Sequence, residues 1–404
     1  MFDPATAELL KSAPELPGLD PNTIPQLLTN HYAKLVSARL RGGTANDDSE
    51  TGEEWPLERI ADTYELITSV HSDAAVRRAS SFVAATAQQI LSRRQLDAGE
   101  DDSIWNINRD RVDPSIAAVL LFLAAEQYAD ANETAALIRT RRRSQPYEVT
   151  ILSAHIRNLA RGQLNEILER AISWRKETRS SVDFEELAFI TLLETLITGI
   201  ELQAAEIFSV SAPVNIQDRF DTPRHAFVRV LELSTDSSSR YASELGSEFH
   251  IAYSGPRHLA SLLLAAYDGI YEAALTKIQP PEGVDQDFWQ RWLDYRAHKF
   301  PFIWPNHREA IGQGFHQTGK SAVMVLPTGA GKTTVSSLKI AGVLGRGKKV
   351  IFLAPTHALV DQLTDDLQEI FPKEIFGSRV SNDFDLLLQS ITQTQEIEVM
   401  TPER

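Results

Sequence analysis

Residues 326–334 have the composition of a phosphate-binding loop. They read Leu-Pro-Thr-Gly-Ala-Gly-Lys-Thr-Thr, so two glycines stand close ahead of a lysine and a threonine. Such glycines let backbone N–H groups close around a phosphate, because no Cβ is in the way. The lysine can then reach the β- and γ-phosphates, and the hydroxyl of the following threonine can hold Mg²⁺. The predicted nucleotide-binding residues are Thr328, Gly329, Ala330, Gly331, Lys332, Thr333 and Thr334, with Thr333 as the metal ligand.

The residues around this loop predict the elements that position it. Residues 322–326 are apolar and β-prone, which is typical of a buried strand, and residues 333–344 follow as a helix. The positive end of that helix would point at the phosphates. A second buried strand over 348–356 leads into a helix to about 371, and a third strand covers 396–403. Strand–turn–helix units in series predict a parallel βαβ sheet.

Three of these segments, in this order and spacing, resemble the first RecA-like domain of superfamily 2 (DEAD/DEAH-type) helicases and translocases. Residues 326–333 resemble motif I, although Leu326 replaces its first glycine. Residues 354–362 (Ala-Pro-Thr-His-Ala-Leu-Val-Asp-Gln) resemble motif Ia, and residues 401–403 (Thr-Pro-Glu) resemble motif Ic. The resemblance implies that the loop binds ATP and Mg²⁺. It also implies that a nucleic-acid strand is held at its backbone by Pro355, Thr356, Thr401 and Pro402.

Residues 304–311 resemble the family's segment just upstream of motif I, where a Gln usually reads the adenine edge. His307 stands at that position in this chain, so selectivity for adenine is in question. A neutral imidazole can still donate or accept one hydrogen bond to a nucleotide. The alternative interpretation is a surface histidine in a loop. DNA is preferred to RNA as the partner because RNA-specific DEAD-box proteins usually carry the upstream Gln.

Two parts of the family's catalytic machinery are not found in the sequence. No hydrophobic strand ending in an Asp-Glu pair follows residue 332, and Asp365-Asp366 falls inside a predicted helix. The second RecA-like domain, which supplies an arginine finger, is also missing. Because phosphoryl transfer depends on positioned charges, we expect the front portion of a helicase that binds ATP without hydrolysing it efficiently by itself.

The composition and charge of the chain indicate its expected cellular compartment and its expected binding partners. The 404 residues include no cysteine, no N-terminal signal sequence is visible, and the longest apolar run, residues 116–125, is too short to span a bilayer. We therefore expect a cytoplasmic protein with no membrane partner. Residues 301–404 contain 10 Lys/Arg and 11 Asp/Glu, so nearly all of the net charge of −15 belongs to residues 1–300. Such an acidic surface repels phosphate backbones, which favours the C-terminal part as the nucleic-acid site.

Helical spacing of apolar residues recurs through the first three hundred positions. The predicted domains are an acidic helical domain (1–278), a linker and bracing helix (279–300) and the first part of a RecA-like ATP-binding domain (301–404). The fold class is thus a mainly α N-terminal region followed by an incomplete α/β parallel-sheet domain. Residues 227–233 are also compatible with a strand. Aromatic residues at 288, 289, 292 and 295 are interpreted as the buried stripe of the bracing helix rather than a base-stacking platform.

Two other interpretations stay open. The basic run at residues 139–143 is either a solvated helix end, which we favour, or a contact to nucleic acid or an acidic partner. The alternative function is a helical protein-interaction module that recruits a protein partner, with a nucleotide-binding but non-hydrolysing remnant attached. A signalling ATPase is disfavoured, because segments like 354–362 and 401–403 have no counterpart in that class.

Overall fold

A computed structural model describes residues 4–41, 55–99, 106–139, 145–176, 184–213, 216, 219–234, 253–326, 331–376, 380–382 and 397–402. The chain divides into two compact units, Met1–Glu272 and Ala273–Arg404. The domain limits drawn from the sequence, at residues 278 and 300, remain a prediction beside this division.

The first unit is built from α-helices. They are α1 (Pro4–Leu10), α2 (Ile24–Leu40), α3 (Leu57–Val70), α4 (Ala74–Asp97), α5 (Pro114–Ala124), α6 (Tyr128–Thr134), α7 (Tyr147–Ala160), α8 (Leu164–Ser173), α9 (Phe184–Ile207), α10 (Pro223–Ser234) and α11 (Ser254–Glu272). The predicted helical character of the N-terminal region is confirmed.

The start of α5 shows how local sequence sets a helix boundary. Asp113 precedes the helix with extended backbone, and its carboxylate accepts the N–H of Ser115 at 2.9 Å. Pro114 occupies the first helical position, where its missing N–H costs nothing. The start predicted at this position is therefore confirmed.

Helix α5 lies at the centre of the first unit's core. Every residue from Ser115 to Ala124 is buried, and α4, α6, α7 and α11 pack around the helix. Ala84 and Ala85 are fully buried on α4, so the two helices can approach closely. Phe82 and Phe122 meet edge to face with ring centroids 6.0 Å apart. Apolar burial of this kind supplies the main stabilisation of the unit.

Helix α9 is the most apolar long helix of the described part. The stretch Glu185–Ile207 is long and apolar enough to cross a membrane, and 78% of its most apolar window is buried in the structure. Leu193, Leu196, Ile197 and Ile200 are all inaccessible to solvent. In this fold α9 is a core helix.

The segment 227–233 belongs to a helix, so the strand suggested for it is wrong. It lies within α10, where Ala226, Phe227 and Val230 are fully buried. Their spacing of three and four positions fits one face of a helix. Helix α10 packs against α9 and α11, and this tertiary contact decides the conformation of a short run that favours either structure locally.

The second unit combines helices with a small parallel sheet. Its elements are α12 (Gln286–Ala297), α13 (Pro305–Gly312), α14 (Lys332–Leu344), β1 (Val350–Leu353), α15 (His357–Ile370), α16 (Lys373–Phe376), β2 (Val380–Asn382) and β3 (Ile397–Met400). The strand order is β1-β3-β2 and both pairings are parallel, with Leu353 opposite Met400. The predicted fold class, a mainly α region followed by an α/β parallel sheet, is confirmed.

Residues 321–326 form no strand, which contradicts the prediction of a buried strand ahead of the phosphate loop. Val323 is 92% exposed and Val325 is 88% exposed, and no described strand pairs with this segment. A β-prone run becomes a buried strand only where a neighbour accepts its hydrogen bonds and covers its side chains. Strand β1 is also less buried than predicted, because among the described strands it pairs only with β3 and leaves Ile351 and Leu353 more than half exposed.

The aromatic stripe predicted on α12 is buried at two of its four positions, and Phe288 and Tyr295 are only half-buried. Trp289 and Trp292 are each 1% exposed, and both indole N–H groups donate to backbone carbonyls. Trp289 donates to Ile278 at 2.9 Å, and Trp292 donates to Ile370 at 3.3 Å. The Trp292 ring also stacks on Phe371. Helix α12 therefore braces the end of α15.

Candidate functional site

Among residues 326–334, the structure describes Leu326 and the residues from Gly331 onward. Pro327, Thr328, Gly329 and Ala330 lie outside the described residues, as do Glu403 and residues 140–143 of the basic run. What the structure gives for the predicted loop is therefore its last glycine and the helix that follows.

Gly331 occupies the cap position of α14 in the left-handed region, with φ of 72° and ψ of 35°. A side chain is unfavourable in this region, and space forbids one too. A Cβ built on Gly331 would lie 2.4 Å from His307 Nε2. The carbonyl of Gly331 accepts the N–H groups of Thr334 and Val335, which starts the helix. The sequence requirement for glycine at this position thus has both a conformational and a steric cause.

Lys332 and Thr333 open α14 and are both exposed. The first backbone N–H groups of a helix lack partners within it, and they lie at the positive end of the helix dipole. On the other side of the helix, Val335 and Leu338 are fully buried and anchor it in the unit. The helix start is therefore fixed in place, while its ammonium and hydroxyl groups can reach a ligand.

His307 is not a surface histidine, so that alternative is wrong. Its side chain is 2% exposed and lies at the third position of α13. The Trp304 N–H points at His307 Nδ1 at 3.4 Å, and the two rings stack with centroids 5.4 Å apart and planes within 5°. The structure thus brings His307 and Gly331 together, although 23 residues lie between them in the chain.

Lys339 is a residue near the site that sequence reasoning missed. Its ammonium donates to the carbonyls of Phe315 at 3.1 Å and Lys320 at 2.9 Å, and it lies over the Phe315 ring. Burial lowers the pKa of Lys339. The side chain ties the segment ahead of the phosphate loop to α14. Nothing in the sequence distinguishes it from a solvated lysine on a helix.

The four residues predicted to hold nucleic acid lie at one edge of the sheet. Pro355 and Thr356 follow β1, and Thr401 and Pro402 follow β3, the neighbouring parallel strand. The N–H of Ala354 donates to the Met400 carbonyl at 2.9 Å, which keeps the two ends side by side.

Within this group the side chains differ in access. The Thr356 side chain is exposed and caps α15, where its hydroxyl accepts the N–H of Leu359 at 3.4 Å. Pro355 and Pro402 are exposed, whereas Thr401 is 7% exposed. Thr356, at the start of a helix, therefore carries the more accessible of the two hydroxyl groups.

The described residues fit a phosphate group better than they fit a metal ion alone. Gly331, Lys332 and the start of α14 combine a glycine cradle, an ammonium and open N–H groups. Among the described residues, no group of three or more His, Asp or Glu side chains is arranged to hold a metal ion. Asp365 and Asp366 are exposed on α15, as expected of a solvated pair. Mg²⁺ would take one ligand from Thr333 and others from phosphate and water, which is its usual preference.

A comparison with protein families agrees with this geometry. Residues 304–404 match the family model for DEAD/DEAH box helicases. The matched region begins with Trp304 and includes His307, α14, β1, α15 and β3. Residues 304–404 are therefore similar to the domain of DEAD/DEAH box helicases.

Proposed function

We propose that this chain is part of an ATP-dependent DNA helicase or translocase, in which residues 304–404 bind MgATP and one nucleic-acid strand. The observation that carries the proposal is the start of α14. A left-handed glycine is followed by an exposed lysine and threonine at the positive end of a helix, within the region that matches DEAD/DEAH box helicases. This combination suits a triphosphate.

Each residue of the loop would have a separate part in binding. Gly331 turns the backbone so that the N–H groups of Lys332 and Thr333 point away from the helix, where a phosphate oxygen can accept them. The Lys332 ammonium neutralises charge on the outer phosphates. The Thr333 hydroxyl holds Mg²⁺, which neutralises the phosphates further when bound. Thr328, Gly329 and Ala330 complete this arrangement in the proposal by their place in the sequence.

The strand site would lie at the sheet edge beyond β1 and β3. Thr356 offers a hydroxyl, and the open N–H groups at the start of α15 favour a phosphate of the strand backbone. Pro355 and Pro402 are exposed beside it. Contacts of this kind position a strand without reading its bases. The near-neutral charge of residues 301–404 makes this unit a better partner for DNA than the acidic residues 1–300.

Binding is expected without efficient turnover. Hydrolysis also requires carboxylates that complete the Mg²⁺ site and orient water, and no apolar strand ending in an Asp-Glu pair follows residue 332 in the sequence. In the proposal, the chain binds MgATP and a nucleic-acid strand and turns ATP over slowly.

Calorimetry of a non-hydrolysable MgATP analogue tests the nucleotide part of the proposal. Wild-type chain should bind, and Lys332→Ala should weaken binding at least about tenfold, since a charge-assisted contact to phosphate is lost. Lys349→Ala is the matched control, because Lys349 is an exposed lysine outside the loop. Equal affinities of wild type and Lys332→Ala would reject the site.

Fluorescence anisotropy with a labelled single-stranded DNA tests the strand site. Thr356→Asp keeps a side chain that caps a helix well but places a negative charge where the phosphate would lie. It should weaken DNA binding about tenfold without changing thermal stability, and Thr356→Ser should leave both unchanged. Tight binding by Thr356→Asp would remove Thr356 from the strand site. The same titration with RNA decides between the two nucleic acids.

The second candidate function is a protein-interaction module in the helical unit. Leu66 and Val70 lie one turn apart on the exposed face of α3 and are 62% and 70% exposed, whereas the opposite face, with Leu57, Ile60 and Tyr64, is buried. An exposed apolar patch that includes such a pair would suit a protein contact. Failure of the wild type to bind either MgATP analogue or DNA, with the helical unit still folded, would favour this candidate.

A further inference from the structure

His307 stands where the helicase family usually has a glutamine that reads adenine, and its surroundings suggest a different task. The ring is 2% exposed, and one of its faces is covered by the Trp304 indole at 5.4 Å. A group that reads a nucleobase needs a ring edge open to the ligand. The burial and stacking of His307 are typical of a side chain that packs between neighbouring elements.

The two nitrogens of His307 point to the same conclusion. The backbone N–H of Trp304 faces His307 Nδ1 at 3.4 Å, so Nδ1 is the acceptor. In a neutral ring the proton is then on Nε2. Nε2 is also the atom nearest to the position a Cβ of Gly331 would take, 2.4 Å away, with the neighbouring ring carbon Cε1 at 2.6 Å. The edge of the ring that bears Nε2 is therefore directed at Gly331.

We infer that His307 is a positioning residue that packs against Gly331 and holds its left-handed backbone at the start of α14, so that the site selects nucleoside triphosphates through their phosphates with little preference for the base. The inference rests on the proposed function and names the substrate class of the same site. Gly331 holds a left-handed conformation at the start of α14, and a bulky ring against it restricts the alternatives.

A histidine that positions Gly331 and a histidine that recognises adenine should respond differently to the substitution His307→Ala. If the ring organises the loop, its removal weakens all ligands that share the phosphates by the same factor, whatever base they carry. If the ring reads adenine, only adenine nucleotides are affected. The probes are a non-hydrolysable ATP analogue, the matching GTP analogue, and tripolyphosphate, each with Mg²⁺, measured by calorimetry or by competition.

For the wild type we expect dissociation constants for the ATP and GTP analogues within about threefold of each other. His307→Ala should raise the dissociation constants of all three probes by a common factor of about ten, as expected when preorganisation is lost. His298→Ala is the control, since His298 is an exposed histidine of the same unit. A loss confined to the ATP analogue, or no loss for any probe, would overturn the inference.

A double-mutant cycle on thermal unfolding tests the contact without any ligand. Gly331→Ala should lower Tm, because the new methyl group meets the His307 ring and the backbone there disfavours a side chain. In a His307→Ala background the clash is relieved and only the backbone strain remains. The loss of Tm from Gly331→Ala should therefore be smaller by at least about 2 °C. Additive losses would show that the two residues do not press on each other.

The two experiments separate failure of the inference from failure of the proposed function. If the wild type binds none of the three probes, the proposed nucleotide site is wrong, and the cycle still decides whether His307 supports Gly331. If binding depends on Lys332 but His307→Ala changes only the preference between bases, the function holds and the inference fails.

Discussion

His155 and Glu201 face each other inside the helical unit, with His155 Nε2 3.3 Å from Glu201 Oε1 and both side chains fully buried. Arg170 points at His155 Nδ1 at 3.4 Å, so this nitrogen is an acceptor, the imidazole is neutral, and Nε2 donates to the carboxylate. Glu201 also accepts hydrogen bonds from Trp174 at 2.7 Å and Arg175 at 2.5 Å. This cluster joins α7 and α9 to the chain that follows α8.

Neutralising Glu201 should be strongly destabilising. In Glu201→Gln the Arg175 guanidinium, whose side chain is 13% exposed, loses the fully buried carboxylate that pairs with it, and we expect the free energy of unfolding to fall by about 3 kcal/mol. Chemical denaturation of the two proteins measures the difference. Glu232→Gln is the control, because Glu232 pairs with Arg229 on the surface and should change stability by less than about 0.5 kcal/mol. Equal effects of the two substitutions would contradict this account of the cluster.

The cluster should also make stability depend on pH. Burial lowers the pKa of His155. Burial would raise the pKa of Glu201, but the hydrogen bonds from His155 and Arg175 outweigh it and leave that pKa lowered. Both groups therefore take up protons more readily in the unfolded chain. The free energy of unfolding should decrease as the pH falls below 6.5 for His155 and below 4.5 for Glu201, which are their pKa values in the unfolded chain.

The histidine part of this effect can be isolated by substitution. Tm should fall between pH 7.5 and pH 5.5 in the wild type, and the fall should be smaller in His155→Gln, whose amide can still donate to Glu201. Scanning calorimetry at the two pH values measures both. An identical fall in the two proteins would mean that His155 is not a neutral buried group.

Removal of the Lys339 ammonium should loosen the segment ahead of the phosphate loop. Lys339→Met keeps the length of the side chain but loses the hydrogen bonds to Phe315 and Lys320, so amides in residues 315–320 should exchange faster with solvent. We also expect about 1 kcal/mol lower stability. Hydrogen exchange with mass spectrometry reads the local effect, with Lys349→Met as control. Unchanged exchange would show that the hydrogen bonds of Lys339 contribute little to the stability of residues 315–320.

The exposed apolar residues of the second unit should promote self-association. Val323, Val325, Ile351 and Leu353 are each more than half exposed, on an unpaired segment and on an edge strand. Such edges invite pairing with another chain. Val323→Lys should lower the fraction of dimers and larger species in sedimentation velocity at a given concentration, and Leu66→Lys on the helical unit serves for comparison. A purely monomeric wild type would contradict the expectation.

Sequence reasoning succeeded where local signals and packing agree. The cap at Asp113, the helix after Gly331, and the strands that end before Pro355 and Thr401 were all predictable, because residue type and spacing specify them within a few positions. The aromatic stripe of α12 was predictable only in part, because Trp289 and Trp292 are buried whereas Phe288 and Tyr295 are half-buried.

The features that the sequence did not predict depend on contacts between residues far apart in the chain. Residues 322–326 have a strand-like composition, but no described strand lies beside them, and a strand cannot form alone. Residues 227–233 suit a strand locally, yet helices α9 and α11 provide a helical environment. The packing of His307 against Gly331 and the reach of Lys339 arise only when α13 and α14 come together. Sequence spacing carries no sign of those contacts.

The central claim is that the start of α14 and the sheet edge at Thr356 belong to one nucleotide- and strand-binding unit. Calorimetry of the MgATP analogue with and without saturating single-stranded DNA tests it most directly, because coupling between two sites must be reciprocal. We predict that DNA tightens binding of the analogue to the wild type at least about fivefold, and that Lys332→Ala weakens binding at least about tenfold whether or not DNA is present. An affinity for the analogue that is unchanged by Lys332→Ala, or unchanged by DNA, would contradict the claim.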